Sequence, residues 1–137
     1  MMQENPTYGD VAVEIRDYLM ERARIAESAG VERLSICVDP GIGFGKTHRH
    51  NLQLLARLDL LVSTGYPVLV GTSRKSFLGR ILEEPDPAER DVATAATVAI
   101  AATRGAAVVR VHNVEMARQA VLIADAINRS IDGEEGP

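Results

Sequence analysis

Asp39, Lys75 and His112 stand 36 and 37 residues apart and offer three different chemistries. A carboxylate accepts hydrogen bonds at two oxygens, an ammonium donates and carries charge, and an imidazole can do either. Asp39 opens the stretch Asp39-Pro40-Gly41-Ile42-Gly43-Phe44-Gly45-Lys46-Thr47. Its three glycines let backbone approach a ligand, and the loop feeds a helix N-terminus. Ser73-Arg74-Lys75-Ser76 sets two cations and two hydroxyls after an apolar run. Arg110 and His112 alternate with Val111, so both point to one side of a strand, and if that side is the centre of a barrel mouth they make an anion clamp.

Each stretch also has a plainer reading. The glycine-rich loop serves as a tight strand-to-helix turn, and Ser73 to Ser76 as a solvated turn. Arg110 can pair with a structural carboxylate and leave His112 as a turn residue. The loop nearly matches a phosphate-binding loop ending in Gly45-Lys46-Thr47, but its first required glycine falls on Pro40, which has no N–H to give. The dinucleotide fingerprint fails as well, because its third glycine falls on Lys46. His48 and His50 are two apart and share no helix face, which argues against a metal pair. Cys37, in an apolar run, reads as a small core residue.

Elements that alternate along the chain must position these side chains. Apolar spacings of three and four predict helices over about 11–29, 48–64, 86–104 and from 114 onward. Asp10, Thr47, Asp86 and Asn113 stand where N-caps belong, and Gly30, Gly65 and Gly105 where helices stop. Between the helices lie 34–38, 67–71 and 107–111, short, β-branched and nearly all apolar. Such strands are covered on both faces, as in parallel sheets. Strand then helix, three times over, is an α/β pattern. It brings Asp39, Lys75 and His112 side by side at the carboxyl ends of the strands, where parallel α/β folds bind ligands. The tail over 131–137 is polar.

The 137 residues make one domain's worth of chain, with ordinary apolar (46%) and charged (25%) fractions. The net charge of −4 gives no support to a nucleic-acid partner or an anionic membrane. With one cysteine there is no internal disulfide. The N-terminal residues lack signal-peptide character, and the longest apolar run, 92–103, falls short of the roughly 20 residues a bilayer needs. A cytoplasmic, soluble protein is expected.

The motifs Asp39 to Lys46, Gly71 to Ser76 and Arg110-Val111-His112, in that order and at those separations, resemble the C-terminal part of dihydropteroate synthase. The opening Met2-Gln3-Glu4-Asn5-Pro6 resembles the segment just after that family's fifth strand, so the likeness runs over about residues 2–130. It implies the later portion of a (β/α)8 barrel. It implies a transferase of folate synthesis, joining 6-hydroxymethyl-7,8-dihydropterin pyrophosphate to p-aminobenzoate with release of pyrophosphate. By the resemblance Asp39 binds the pterin, and Lys75 reaches the pterin carbonyl and borders the aminobenzoate pocket. Arg110 and His112 hold the pyrophosphate, while Phe44 and Ser76 line the aminobenzoate site, where sulfonamides compete. Gly71, Arg74 and Val111 complete the substrate-binding set, and Lys75, Arg110 and His112 carry the catalysis.

A full barrel needs eight strands and about 250 residues. The family's magnesium-linked Asn and further pterin-binding residues are implied to lie in the half not present, leaving no metal ligand here. The chain then reads as a fragment, a split partner or a stand-alone module, expected to be inactive alone. It is also expected to self-associate through late helices or sheet edges. Two other functions fit parts of the sequence: a phosphate-binding NTPase-like domain using Gly45-Lys46-Thr47, and a non-catalytic assembly module.

Overall fold

A computed structural model describes residues 7–133. Helix starts are set by side chains that take up the first free N–H groups. Asp10 accepts from Val13 N and begins α1, Val11–Ser28. Thr47 accepts from His50 N, and His50 Nδ1 accepts from Thr47 N in return, beginning α2, His48–Ala56. Asn113 accepts from Met116 N and begins α6, Val114–Ile131. The expected second helix breaks after Ala56 and resumes as a short α3, Asp59–Val62. The third start signal works differently from expectation. Asp86 caps a 3-10 turn over Pro87–Arg90, which leads into α5, Asp91–Thr103.

The sheet is smaller than its sequence pattern suggests. β1, Leu69–Val70, and β2, Val108–Val109, run parallel, with Leu69 opposite Val108 and Val70 opposite Val109. The expected first strand is reduced to a single parallel bridge between Val38 and Val68, made by Val38 N to Pro67 O and Leu69 N to Val38 O. Upstream of it Arg33–Ser35 form a 3-10 turn, and Leu34 is 96% exposed. A strand exists only as far as a neighbour pairs with it. Among the described residues nothing pairs with 34–37. An unexpected short helix, α4, Ser76–Leu82, follows β1. It is only seven residues long, has no side-chain cap and carries Gly79 at its centre, so it lacks a periodic signature.

The core lies between sheet and helices. Val38, Val68 and Val70 meet Leu54, Leu55, Leu58, Leu61, Tyr66, Phe77 and Ala101. α5 and α6 pack on each other through buried Val98, Ala101, Ala117 and Ala124. Alternation sends Leu69 the other way, toward the open face of the sheet. Cys37 also departs from expectation: it is exposed, because it faces away from Val38 and nothing in the described chain covers that side. Of the polar tail, residues 134–137 lie outside the described residues, as does the opening segment 2–6, while α6 runs through Ile131.

Candidate active site

Loops leaving the three parallel segments meet around one cleft of about 320 Å³. Asp39, Gly41, Ile42 and Phe44 line it from the first, Gly71, Ser73 and Lys75 from the second, and Arg110, Val111 and His112 from the third. Asp39, Lys75 and His112 are thus brought together as their spacing predicted, and Phe44, Gly71, Arg110 and Val111 share the lining. Arg74 and Ser76 are not in this lining. Ser76 opens on a neighbouring recess with Gly43, Lys46, His48, Asn51, Phe77 and Arg80.

The loop after Val38 is shaped from within. Asp39 Oδ1 accepts Gly41 N at 2.8 Å, leaving its second carboxylate oxygen to the cleft. Gly41, Gly43 and Gly45 all hold positive φ (70°, 85° and 59°), a region open mainly to glycine. A Cβ on Gly43 would meet Lys75 Cδ at 2.9 Å, so that glycine also makes room for the lysine. Lys75 Nζ rests 4.0 Å from the centroid of the Phe44 ring, a cation–π contact. Lys46 does not serve a phosphate. Its ammonium donates to Gly41 O at 2.9 Å and Phe44 O at 2.8 Å. Burial pulls its pKa down, against the opposing charge of Asp39. With that lysine spent on the loop's own carbonyls, the NTPase-like reading loses its main residue.

The second loop is braced from α5. Arg74 holds φ 59° and makes a two-point pair with Asp91, Nε to Oδ1 at 2.8 Å and Nη2 to Oδ2 at 3.1 Å. Asn113 Nδ2 donates to Asp91 Oδ2 at 3.3 Å. The Arg74 guanidinium holds the Asp91 carboxyl below the usual carboxylate range, with the Asn113 amide acting the same way and burial opposing. Arg74 N donates to Thr94 Oγ1, and its carbonyl accepts Arg90 Nη1. Arg90 is buried and spends its other donors on Glu84 O and Pro85 O. Arg74 therefore works here as a brace for the loop, a role its place in the motif did not reveal.

The third loop supplies Arg110 and His112. Arg110 N donates to Val70 O, and its guanidinium makes no ion pair among the described residues, so the plainer reading of Arg110 finds no carboxylate. The His112 ring meets Ser73, whose Oγ lies 2.6 Å from Nδ1 and accepts His112 N at 3.0 Å. Sequence reasoning counted Ser73 as one of two hydroxyls in the Ser73–Ser76 stretch but gave it no role in the site. The result is a cleft that gathers one carboxylate, a lysine, an arginine and an imidazole. Among the described residues no group of three or more His, Cys, Asp or Glu gathers as a metal site, and no helix is long and apolar enough to cross a membrane.

The chain's likeness to known proteins agrees with this chemistry. The model of the family described as pterin binding enzyme matches residues 1–112. The chain belongs to the pterin-binding enzyme family. It is similar to dihydropteroate synthase of Synechocystis sp., 46% identical over 128 residues, which is 93% of this chain and 44% of the relative. The crystal structure of Yersinia pestis dihydropteroate synthase with a sulfonamide drug complex superposes with a TM-score of 0.90 at 38% identity, over 94% of this chain and 47% of that one. That of Xanthomonas albilineans dihydropteroate synthase in complex with 7,8-dihydropteroate superposes with a TM-score of 0.87 at 39% identity, over 91% and 48%. The chain thus spans about half the length of the relatives it matches.

Proposed function

We propose that this chain carries the later portion of a dihydropteroate synthase barrel and, with it, one side of the site that joins the dihydropterin pyrophosphate to p-aminobenzoate. The supporting observation is the convergence of Asp39, Lys75, Arg110 and His112 on one cleft at the carboxyl ends of parallel strands. Asp39 takes the pterin ring through its second carboxylate oxygen, and Lys75 reaches the pterin carbonyl. Arg110 and His112 take the pyrophosphate, in keeping with anion sites after the last strands of such barrels. Phe44 lines the aminobenzoate site against the Lys75 stem, and Ser76, at the edge of the neighbouring recess, is assigned to the aminobenzoate carboxylate. Gly71 and Val111 bound the cleft, and Arg74 serves substrate binding by holding its loop.

In the reaction the aminobenzoate nitrogen forms a bond to the pterin methylene carbon as the carbon–oxygen bond to pyrophosphate breaks. The nitrogen's proton passes to solvent. Charge accumulates on the departing pyrophosphate, and preorganised donors aimed at such charge are usually the largest catalytic contribution. Arg110 and His112 supply them. Magnesium has no step assigned to it. The lining, with Lys75, Arg110 and His112 beside the single carboxylate of Asp39, does not suit a divalent ion. The reading carries a cytoplasmic location with it.

A segment exchange tests the proposal: this chain replaces the matching segment in the Synechocystis synthase. Dihydropteroate formed from the two substrates supports it. A folded exchange protein that binds neither pterin pyrophosphate nor p-aminobenzoate overturns it and favours a module used only for assembly.

A further inference from the structure

Ser73 joins the loops after β1 and β2 across 39 residues of sequence. Its side chain is nearly enclosed, the residue being 8% exposed. A serine hydroxyl has one proton to give and two acceptor positions. The backbone N–H of His112 occupies one acceptor position. The proton has no acceptor among the described residues other than His112 Nδ1. That sends the Ser73 proton to Nδ1. A neutral imidazole that accepts at Nδ1 carries its own proton at Nε2.

We propose that Ser73 is a positioning residue that locks His112 in the Nε2–H tautomer and so turns an N–H donor toward the cleft beside Arg110. The donor is then in place before an anion arrives, and His112 need not gain a proton to bind it. The bracing of Arg74 by Asp91, Thr94 and Arg90 keeps the residue next to Ser73 fixed, which holds the hydroxyl at its station. Only the identity of the anion, a pyrophosphate, rests on the function proposed above.

Nitrogen-15 spectra of the sedimented, histidine-labelled chain read the ring directly, whatever its association state. His112 is assigned by the signals lost in His112→Gln. In the wild type the proton belongs on Nε2, with Nδ1 bare. Ser73→Ala should leave the ring averaging between tautomers and weaken binding of inorganic pyrophosphate about tenfold, whereas Ser73→Thr, which keeps a hydroxyl, should retain both properties. A wild-type ring protonated on Nδ1 or averaged between the two overturns the proposal. So does a Ser73→Ala ring that keeps the Nε2 proton. If Ser73→Ala does not fold, the wild-type and Ser73→Thr spectra decide. Absence of pyrophosphate binding by the wild type, with the ring found as stated, counts against the proposed function and upholds the tautomer lock.

Discussion

Arg110 has a permanent charge, a place on the cleft wall and no carboxylate partner among the described residues, so its removal should be felt by anions alone. In a completed barrel, Arg110→Ala should weaken pyrophosphate and pterin pyrophosphate binding by about 1.5–3 kcal/mol, the worth of hydrogen bonds to a charged group. Binding of the unphosphorylated pterin should barely change in calorimetry. Equal losses for both ligands would remove the anion clamp from the mechanism. Asp39→Asn separates two jobs of one side chain. An Asn oxygen can still accept Gly41 N and keep the turn, while the other position becomes a donor facing a ring N–H. Pterin affinity should fall by about 1–3 kcal/mol, the cost of an unsatisfied buried group. Wild-type affinity would reduce Asp39 to a turn former. Asp91 provides a pH test. Its pKa is depressed in the fold, chiefly by Arg74. A carboxylate of that kind adds stability above its unfolded value of about 3.9 and loses it as the pH falls through the folded value. Asp91→Asn should therefore lower Tm at neutral pH by a margin that shrinks in acid. A margin constant with pH would show that the charge is not what matters. At this scale Asp39, Lys75 and His112 were legible because one βα repeat separates each from the next, and Arg110 because it precedes His112 by two residues on the same strand. Ser73 and the bracing role of Arg74 were not, since both depend on what sits across a loop boundary.

Elements were legible at their starts and obscure in their lengths. Asp10, Thr47 and Asn113 each cap a helix through a bond to a backbone N–H two or three positions inside it, a local signal that sequence carries. The strands shrank to two residues and a bridge because pairing depends on neighbours far along the chain. α4 was missed altogether, and its seat on Arg90 explains its shape. A Cβ on Gly79 would collide with the Arg90 guanidinium, which ties the carbonyls of Arg74, Glu84 and Pro85 together beneath the helix. Gly79→Ala should destabilise by about 1–3 kcal/mol through overpacking. Arg90→Ala should cost about as much, since it strands carbonyls that are hard to solvate. Combined, the two should cost clearly less than the total of their separate effects, because truncating Arg90 frees the volume that the new methyl needs. Urea unfolding of the four proteins measures the coupling. Strict additivity would mean that the helix and the guanidinium do not share that space.

At the scale of the whole molecule, the chain spans about half the length of the relatives it matches, and its fold is open on one side. Its core is one-sided. The valines that face the helices are buried, whereas the other side of the sheet and the outer face of α6 leave apolar groups in water. Leu69, Val108, Val109, Val111, Val114 and Leu122 border one apolar groove of about 520 Å³ beside β2. Ile123, Ile127 and Ile131 are exposed further along α6, and Leu34 and Cys37 at the opposite side of the sheet. The nearly unbroken apolar strands announced in the sequence that both sheet faces would be covered. What covers the second face could not be read, because no described residue covers it. Contiguous apolar surface and unpaired strand edges both promote association. The purified chain should therefore scatter light as a dimer or larger species at micromolar concentration. Added polypeptide bearing the other half of a relative's sequence should compete with that self-association and yield a complex of defined mass. The chain alone should form no dihydropteroate, because Asp39, Lys75, Arg110 and His112 wall only one side of their cleft. The complex should bind pterin pyrophosphate through them. A compact monomer in light scattering would show that the exposed rows are tolerated in water, and dihydropteroate made by the purified chain would show that one wall of the cleft suffices for the chemistry.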